Sequence, residues 1–452
     1  MSNNIATTKL SLSLPASGRA LDEINKRYSV GGINSLPVYL VSAQGSRLRL
    51  KDSDGRELID FICGFSASNL GQCYPRLLEA QVNSAKKITL ANIAGQAEGW
   101  PHLAKRLCDK FGYEKVLAMT TGSEATDTAC KLARGWGVDI KKIDPKKVLV
   151  LGTSDNYHGT LSGVWPLMEP EAGWEEFATF SKNMTNINPQ TGKVLRYLHV
   201  EDYAEIFEQM HERIAAVIME PLHGLARSME EEIEFCIGVR KLCKQFNILF
   251  IADEVRMGSC KTGRFLSSDW MGPEHKPDMV TMGKSISGGV WPTSFVFGPD
   301  EVMNKMKPYQ SVSTFSMSSM AVTAVTTALQ IYEEENLQQR ARDIHAKWVS
   351  ETSTWKFPWL RYCPAFGADL NILLDTEYET RPEKVTPRRF SLLCASKGLL
   401  VFPGPNGRIR LGVALTIPHA DLFQGFKVLR EALEELPHYE YIEGSEETKG
   451  AF

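Results

Sequence analysis

Six short apolar runs, separated by segments with helical periodicity, set the strongest limit on how this chain can fold. They read VLAM, VLVL, AAVIM, ILFIA, MVTM and SFVF, at 116–119, 148–151, 215–219, 248–252, 279–282 and 294–297. A run that is apolar at every position is typical of a strand buried on both faces of a sheet. Because these runs alternate with helical segments, they predict an α/β fold with a mostly parallel sheet covered by helices.

Two of these runs lead directly into residues that carry chemistry. ILFIA is followed by Asp253 and Glu254, and MVTM is followed by Lys284 within the small-residue segment GKSISGG. Ligands of open α/β sheets bind at the carboxyl ends of the strands. An acid that keeps a pyridine nitrogen protonated and a lysine that forms a Schiff base are what pyridoxal 5'-phosphate chemistry requires. Alone, such an Asp is more often a helix cap and such a Lys is usually solvated, so the pair carries the prediction.

Length and composition are those of an ordinary globular enzyme. The chain has 452 residues, of which 43% are hydrophobic and 23% charged, and it is long enough for two domains. A formal net charge of −3 gives no reason to expect nucleic acid or an acidic membrane surface as a partner. No apolar run approaches the roughly 18 residues that a membrane helix needs. We therefore expect neither a nucleic-acid nor a membrane partner.

The cysteines and the N-terminal residues bear on metal binding and location. None of the nine cysteines is spaced C-x-x-C from another, so neither a zinc site nor a redox motif is indicated and no metal is expected. Scattered thiols in a long chain suit a reducing compartment. The first nineteen residues lack acids but include only two basic residues, Lys9 and Arg19, a weak similarity to a transit peptide. These features favour the cytoplasm, with the mitochondrion as the alternative.

A helix start follows the first apolar run, in the segment TTGSEATDTACKLAR. Gly122 and Ser123 lie at this start, where unpaired N–H groups and the positive end of the helix dipole favour a phosphate. The alternative is that Ser123 is a simple N-cap with an acid downstream. The two interpretations are compatible, because a cap and a phosphate cradle use the same geometry.

Three other segments contain residues that would act together with Asp253 and Lys284. Tyr157 and His158 follow VLVL, and an aromatic ring at a strand end can stack on a pyridine ring, although a surface-loop aromatic is more common. Glu220 ends the strand that begins AAVIM. The hydroxyl-rich loop SVSTF at 311–315 contains Thr314, and its simpler interpretation is a turn.

Two long blocks, FGYEKVLAMTTGSEATDTACKLARGWG and VRKLCKQFNILFIADEV with KPDMVTMGKSISGG beyond it, resemble the class III aminotransferases. The similarity extends over nearly the whole chain and includes the ornithine aminotransferases of that family. It implies a fold-type I pyridoxal-phosphate transferase. The large domain, 76–345, would hold a mostly parallel seven-stranded sheet covered by helices. A smaller α+β domain would be built from both termini, with an N-terminal arm and part of that domain in 1–75 and the rest in 346–452.

The resemblance also implies roles for the residues at the cofactor. Lys284 would form the Schiff base and Asp253 would pair with the pyridine nitrogen. Gly122 and Ser123 would bind the phosphate, and Tyr157 would stack on the ring.

Further roles follow from the same resemblance. His158 and Glu220 would line the cofactor site, and Thr314 would reach the phosphate from the partner subunit of a homodimer. Arg410, in the segment GRIRLGVAL, would bind the α-carboxylate of glutamate or 2-oxoglutarate.

One departure from the family pattern lies beside the cofactor. The family has DEVQTG or DEIQTG where this chain has DEVRMG, so Arg256 replaces a glutamine that contacts the ring hydroxyl. A guanidinium there would stabilise the ring phenolate as a cofactor contact, or would bind a substrate carboxylate. The alternative is that Arg256 turns away into a structural ion pair.

Four other departures concern the substrate. The tyrosine and arginine that hold the α-carboxylate of ornithine correspond here to Ile33 and Thr160, and a pocket tyrosine corresponds to Phe65. The family segment EPIQGE appears as EPLHGL, so the glutamate that masks the carboxylate-binding arginine is Leu225. We therefore expect Arg410 to be available to a carboxylate in both half-reactions. These changes argue against δ-transamination of ornithine.

The sequence as a whole predicts an aminotransferase, similar to ornithine aminotransferases but with an altered substrate pocket. It would move an amino group between an amino acid, or a related amine, and a 2-oxo acid. The alternative is an amino-acid racemase, epimerase or decarboxylase on the same scaffold. A non-catalytic regulator is disfavoured because the full set of cofactor residues is present.

Overall fold

The computed structural model describes residues 8–10, 16–30, 36, 38–50, 57–168, 183–378 and 384–445. The chain divides into two compact units, one formed by 75–338 and the other by 1–74 with 339–452. The units separate after residues 74 and 338, whereas the domain limits expected from the sequence follow residues 75 and 345. Those domain limits remain a prediction.

A seven-stranded sheet forms the centre of the larger unit. Its strands, numbered along the chain, are β1 (Lys115–Met119), β2 (Leu149–Leu151), β3 (Met184–Thr185), β4 (Ile214–Met219), β5 (Leu249–Asp253), β6 (Met279–Met282) and β7 (Ser294–Gly298). They lie in the order β1-β7-β6-β5-β4-β2-β3, and β7 alone runs antiparallel to its neighbours. The predicted mostly parallel sheet is confirmed. The six apolar runs form six of its strands, and β3 is the seventh.

Helices accompany this sheet in the larger unit. They are α1 (Pro75–Ala85), α2 (Trp100–Phe111), α3 (Gly122–Asp139), α4 (Val200–Met210), α5 (Met229–Gln245), α6 (Asp300–Met303) and α7 (Ser319–Glu334). Helix α3 packs on the sheet through small residues, since Ala125, Ala129 and Ala133 belong to the same buried cluster as Ala216 and Ile218 of β4. Small side chains let the helix backbone approach the strands closely. The N-terminus of α3 follows β1 after two residues, at the carboxyl end of that strand.

The smaller unit contains several short sheets. A four-stranded sheet includes the hairpin Leu40–Gln44 and Arg47–Leu50, with Glu57–Asp60 and Leu399–Leu400. A five-stranded antiparallel sheet is formed by Leu360–Tyr362, Ala365–Phe366, Asp369–Leu374, Phe402–Pro403 and Arg408–Gly412. Thr8–Leu10 pairs with Tyr439–Ile442. The main helices of this unit are Ala16–Tyr28, Pro387–Ser396 and His419–Glu435, while Leu337–Thr352 lies mostly within it.

Two further features apply to the chain as described. All nine cysteines lie in the described ranges and are free thiols. Within the same ranges, every helix is too short or too polar to extend across a lipid bilayer.

Two glycines of helix α3, Gly135 and Gly137, have contrasting surroundings. A Cβ added to Gly137 would lie 2.7 Å from the Cβ of Ala215 and 3.1 Å from a methyl group of Val148, and both neighbours are buried. A Cβ added to Gly135 would lie 3.2 Å from the Cβ of Lys305, a partly exposed residue, so a shift of a few tenths of an ångström relieves the contact. The close packing of α3 on β4 therefore depends on Gly137.

We expect Gly137→Ala to lower the free energy of unfolding by about 1–3 kcal/mol, because buried neighbours must move to accept the methyl group. Gly135→Ala is the matched control, and alanine's higher helix propensity should leave it neutral or stabilised by up to about 1 kcal/mol. Urea unfolding followed by circular dichroism measures both variants. Equal effects of the two substitutions would contradict this account of the packing.

Candidate active site

Asp253 is the last residue of β5, and its carboxylate is held from three directions. Strand β6 runs beside β5 with Thr281 in register with Asp253, and the Thr281 hydroxyl donates to Oδ1 at 3.0 Å. The Val255 N–H donates to the same oxygen at 3.1 Å. His158 Nδ1 lies 2.7 Å from Oδ2. With only 2% of Asp253 exposed, its carboxylate has a defined position and orientation at the end of the sheet.

His158 lies in the loop after β2 and acts on Asp253. Because its Nδ1 faces a carboxylate oxygen, that nitrogen carries the hydrogen. The other ring nitrogen, Nε2, is buried and has no hydrogen-bond partner among the described residues. The backbone oxygen of His158 accepts a hydrogen bond from the Thr126 hydroxyl at 2.6 Å, which ties this loop to α3. The imidazole is therefore fixed as a donor to Asp253.

Lys284 follows β6 and has an unusual backbone conformation. Its φ angle is +45°, in the left-handed region that costs a non-glycine residue about 1–2 kcal/mol. Such strain is concentrated at functional sites in proteins. The loop is fastened by the Tyr332 hydroxyl, which donates to the Ser285 carbonyl at 2.7 Å. Because β5 and β6 are parallel neighbours, Lys284 and Asp253 leave the same edge of the sheet.

The N-terminus of α3 begins with a capping box. Thr121 is the N-cap: its hydroxyl accepts from the Glu124 N–H at 3.2 Å, and the Glu124 carboxylate accepts from the Thr121 N–H at 2.7 Å. The interpretation of Ser123 as the N-cap was therefore wrong, because the extended residue before the helix is Thr121. Within the described ranges, no acceptor is present for the N–H groups of Gly122 and Ser123. Two adjacent donors at a helix N-terminus can hold a phosphate.

Two glycines bring neighbouring loops against this helix start. A Cβ on Gly159 would lie 1.9 Å from the Ser123 hydroxyl oxygen, and the φ angle of Gly159 is +100°, so a larger residue would be excluded on both counts. A Cβ on Gly283 would lie 3.4 Å from the Cα of Gly122. The loops that carry His158 and Lys284 therefore both pack against the start of α3.

The loop at 311–315 runs along α3 of its own chain. The hydroxyl groups of Ser311 and Thr128 are hydrogen-bonded at 2.8 Å, and the Ser313 hydroxyl is hydrogen-bonded to that of Thr120. Thr314 itself is exposed. The loop is thus held beside the helix start while Thr314 faces outward.

Glu220 directly follows β4 and is the centre of a second polar group. One of its carboxylate oxygens accepts from the Tyr157 N–H at 2.9 Å and lies 2.7 Å from His223 Nδ1. The other oxygen lies 3.7 Å from Arg256 Nε. Burial alone would raise the pKa of the Glu220 carboxyl, but His223 and Arg256 hold that pKa well below its ordinary value. Glu220 is therefore an ionised, buried group.

In this structure Arg256 is turned towards Glu220 and the loop that carries His223. Its Nη2 donates to the His223 carbonyl at 2.6 Å, in addition to the ion pair with Glu220. The structural ion pair considered as the alternative for Arg256 is thus present. The phenolate and substrate contacts of Arg256 remain predictions. Tyr157 is 45% exposed, which leaves part of its ring accessible to a ligand.

Glu232 of α5 is a functional-site residue that the sequence did not reveal. Its fully buried carboxylate accepts hydrogen bonds from four consecutive backbone N–H groups, at residues 223–226, with distances of 2.6, 3.1, 2.6 and 2.9 Å. This carboxylate shapes the loop that carries His223 and Leu225. In the sequence it is one of several acids in MEEEIE, and nothing there distinguishes it.

Glu254, the acid next to Asp253, has a separate structural role. It accepts from the N–H and hydroxyl of Ser267 at 2.8 and 2.7 Å and from the Ser268 N–H at 2.7 Å. Burial raises the pKa of Glu254 to about 7. The adjacent acids of the sequence therefore serve different purposes.

The remaining expected substrate residues are distributed over the chain. Thr160 is exposed in the larger unit, in the loop after His158. In the smaller unit, Phe65 has its ring edge-on to Phe402 at 4.9 Å, and Arg410 lies in the strand Arg408–Gly412. Ile33 lies outside the described residues. Across the described residues, no group of three or more His, Cys, Asp or Glu side chains is placed to bind a metal ion.

The sequence matches known proteins over most of its length. The family model described as aminotransferase class-III matches residues 30–433. Ornithine aminotransferase car2 of Schizosaccharomyces pombe is 32% identical over 417 residues, which cover 92% of this chain and 94% of the relative. The mitochondrial ornithine aminotransferase of Arabidopsis thaliana is 31% identical over 433 residues, covering 95% and 88%.

Solved structures agree with this result. An ornithine aminotransferase from Toxoplasma gondii, with partial occupancy of pyridoxal phosphate at its active site, has a TM-score of 0.84 and 25% identity, covering 93% of this chain and 95% of the other. The acetylornithine aminotransferase of Elizabethkingia anophelis has a TM-score of 0.77 and 25% identity, covering 92% and 99%. The family uses pyridoxal phosphate. The chain thus belongs to the class III aminotransferases and is a pyridoxal-phosphate-dependent enzyme similar to ornithine aminotransferases.

Proposed function

We propose that this enzyme transfers an amino group between an α-amino acid and a 2-oxo acid, in a pocket unlike that of ornithine aminotransferases. The observation that carries the proposal is the loop at 223–226. Its backbone is fixed by Glu232, and it presents an apolar Leu225 where the family has a glutamate. With no carboxylate on Leu225, this position cannot mask an arginine by charge.

The residues of the larger unit fit the cofactor that the family uses. Asp253, oriented by His158 and Thr281, would accept a hydrogen bond from the pyridine nitrogen. The N–H groups of Gly122 and Ser123 would hold the phosphate. When bound, pyridoxal phosphate supplies an electron sink that makes the bonds at the substrate α-carbon labile.

Other roles belong to side chains around that ring. Tyr157 would stack on one face, with its backbone held by Glu220. Lys284 would bond covalently to the cofactor when substrate is absent. Once released by substrate, its amine would remove the α-proton and return it, since a general base must reach the reacting carbon.

The remaining roles concern substrate, assembly and location. We assign the α-carboxylate of the substrate to Arg410, with Phe65 lining the pocket. Thr314 of the partner subunit would reach the phosphate in a homodimer, and its exposure here is consistent with that role. We place the enzyme in the cytoplasm, since nine free thiols suit a reducing compartment, with the mitochondrion as the alternative.

A substrate screen tests the proposed reaction. Amino acids and diamines are added singly to the holoenzyme, and cofactor absorbance reports conversion to the pyridoxamine form. We expect an α-amino acid to give the largest shift, and pyruvate or 2-oxoglutarate to reverse it. Lys284→Ala should abolish the shift, whereas Lys307→Ala, which alters an exposed lysine, should preserve it.

Two results of this screen would refute the proposal. Ornithine as the best donor would contradict the altered pocket. Loss of optical activity or release of CO2, without formation of a 2-oxo acid, would show a racemase or decarboxylase instead.

Subunit complementation tests the shared site. Lys284→Ala disables the lysine of a subunit's own site, and Thr314→Asp places a negative charge against the phosphate of the partner's site. Each variant alone should be nearly inactive. A mixed dimer would contain one site with both native residues, so random pairing should restore about one quarter of the wild-type activity. A mixture no more active than its components would contradict the proposed placement of Thr314.

A further inference from the structure

Three residues at the ends of β4 and β5 form a group that we call the charge cluster: Glu220, His223 and Arg256. Glu220 and His223 are buried, with 3% and 2% exposure. The Arg256 side chain is 14% exposed, so it lies closer to solvent than its two neighbours. The Glu220 carboxylate is therefore shared between the buried imidazole of His223 and the guanidinium of Arg256, which lies nearer to the protein surface.

The two side-chain contacts to the Glu220 carboxylate differ in length. His223 Nδ1 lies 2.7 Å from Oε1, a normal hydrogen-bond length, and Nδ1 can donate in both the neutral and the charged ring. Arg256 Nε lies 3.7 Å from Oε2, whereas a guanidinium paired directly with a carboxylate has N···O distances of about 2.7–2.9 Å. Glu220 is thus the firm partner of His223 and a looser partner of Arg256.

His223 cannot readily follow Arg256 if the arginine moves. Glu232 accepts the His223 N–H at 2.6 Å and the following three N–H groups, which fixes the backbone of His223. Arg256, by contrast, has a long and flexible side chain, and one of its contacts is to the neutral His223 carbonyl. Of the two groups that pair with Glu220, Arg256 is therefore the one able to exchange partners.

We propose that Arg256 leaves Glu220 to bind a second anionic group on the substrate, while His223 keeps Glu220 paired. The inference rests on the proposed function, because it concerns the substrate of the same site. During this exchange the buried Glu220 carboxylate keeps two donors, the His223 imidazole and the Tyr157 N–H. A buried carboxylate whose charged partner is removed without such compensation is strongly destabilising. Arg256 is the specificity-determining residue, and His223 is a positioning residue that makes the exchange possible.

The exchange defines a substrate class. A planar guanidinium binds a carboxylate in a bidentate manner better than it binds a neutral amide. The favoured substrates are therefore amino acids with an anionic side chain, and the corresponding 2-oxo acids. A neutral isostere of the same shape would leave Arg256 on Glu220.

Matched ligand pairs measure this preference on the holoenzyme. L-glutamate is compared with L-glutamine, and L-aspartate with L-asparagine, by kcat/KM for the half-reaction followed by cofactor absorbance. We expect the wild-type enzyme to favour the acid in at least one pair, and Arg256→Gln to reduce that acid-to-amide ratio by about 10- to 100-fold. A ratio cancels any loss of cofactor that affects both ligands equally.

His223 variants test the positioning role. His223→Ala should lower the acid-to-amide ratio several-fold, because Glu220 then holds Arg256 more tightly. His223→Gln, whose amide can donate to the same oxygen, should restore most of the ratio. The control is His199→Gln, which removes an exposed His–Glu pair of the same 2.7 Å length outside the charge cluster and should not change the ratio.

The outcomes separate this inference from the proposed function. If no α-amino acid shifts the cofactor absorbance, the proposed function fails. If amino acids react but wild type shows no preference for either acid, or Arg256→Gln lowers both members of a pair equally, the charge-cluster inference alone is overturned. Should Arg256→Gln fail to fold, Arg256→Lys decides: it keeps the charge but not the planar fork, so a smaller loss in the ratio is expected, and an unchanged ratio refutes the inference.

Discussion

The hydrogen bonds to the Asp253 carboxylate are the contacts on which the rest of the site depends. They join three loops or strands, because His158 comes from the loop after β2, Thr281 from β6 and Val255 from the turn after β5. A carboxylate fixed in this way at the end of a parallel sheet can hold one face or edge of a ligand in a constant position. The positions of Lys284 and of the start of α3 are then set relative to this carboxylate.

In the function that we propose, the cofactor and the substrate would be held by different kinds of interaction. In the proposed site, the phosphate would be held by the backbone N–H groups of Gly122 and Ser123, beside which the close approach of Gly159 leaves no room for a larger residue. The proposed substrate side would depend instead on side chains that follow β4 and β5. Replacing a glutamate by Leu225, or a glutamine by Arg256, changes the charge there without disturbing the sheet. A chain can therefore retain its cofactor chemistry while its substrate changes.

Much of this arrangement could be predicted from the sequence, because its signals are local. Apolar runs identified six of the seven strands, and the position of Lys284 and Asp253 after two of those runs placed them at one edge of the sheet. β3, at Met184–Thr185, is too short to show a pattern. Thr121 and Ser123 are equally good caps in sequence, and only the backbone conformation selects Thr121.

Contacts between distant residues could not be predicted in the same way. His158 and Asp253 are 95 residues apart, so nothing in either segment indicates their hydrogen bond. Glu232 lies among exposed acids and is set apart only by the four N–H groups that converge on it. The charge cluster likewise combines Arg256 with residues from another loop.

The central claim is that Asp253 keeps the pyridine nitrogen of the cofactor protonated. The ¹⁵N chemical shift of that nitrogen tests it directly, in holoenzyme reconstituted with ¹⁵N-labelled pyridoxal phosphate and compared with Asp253→Asn. The account predicts a protonated nitrogen in the wild-type enzyme at neutral pH and an unprotonated one in the variant. An unprotonated nitrogen in the wild-type enzyme, or the same shift in both proteins, would contradict it.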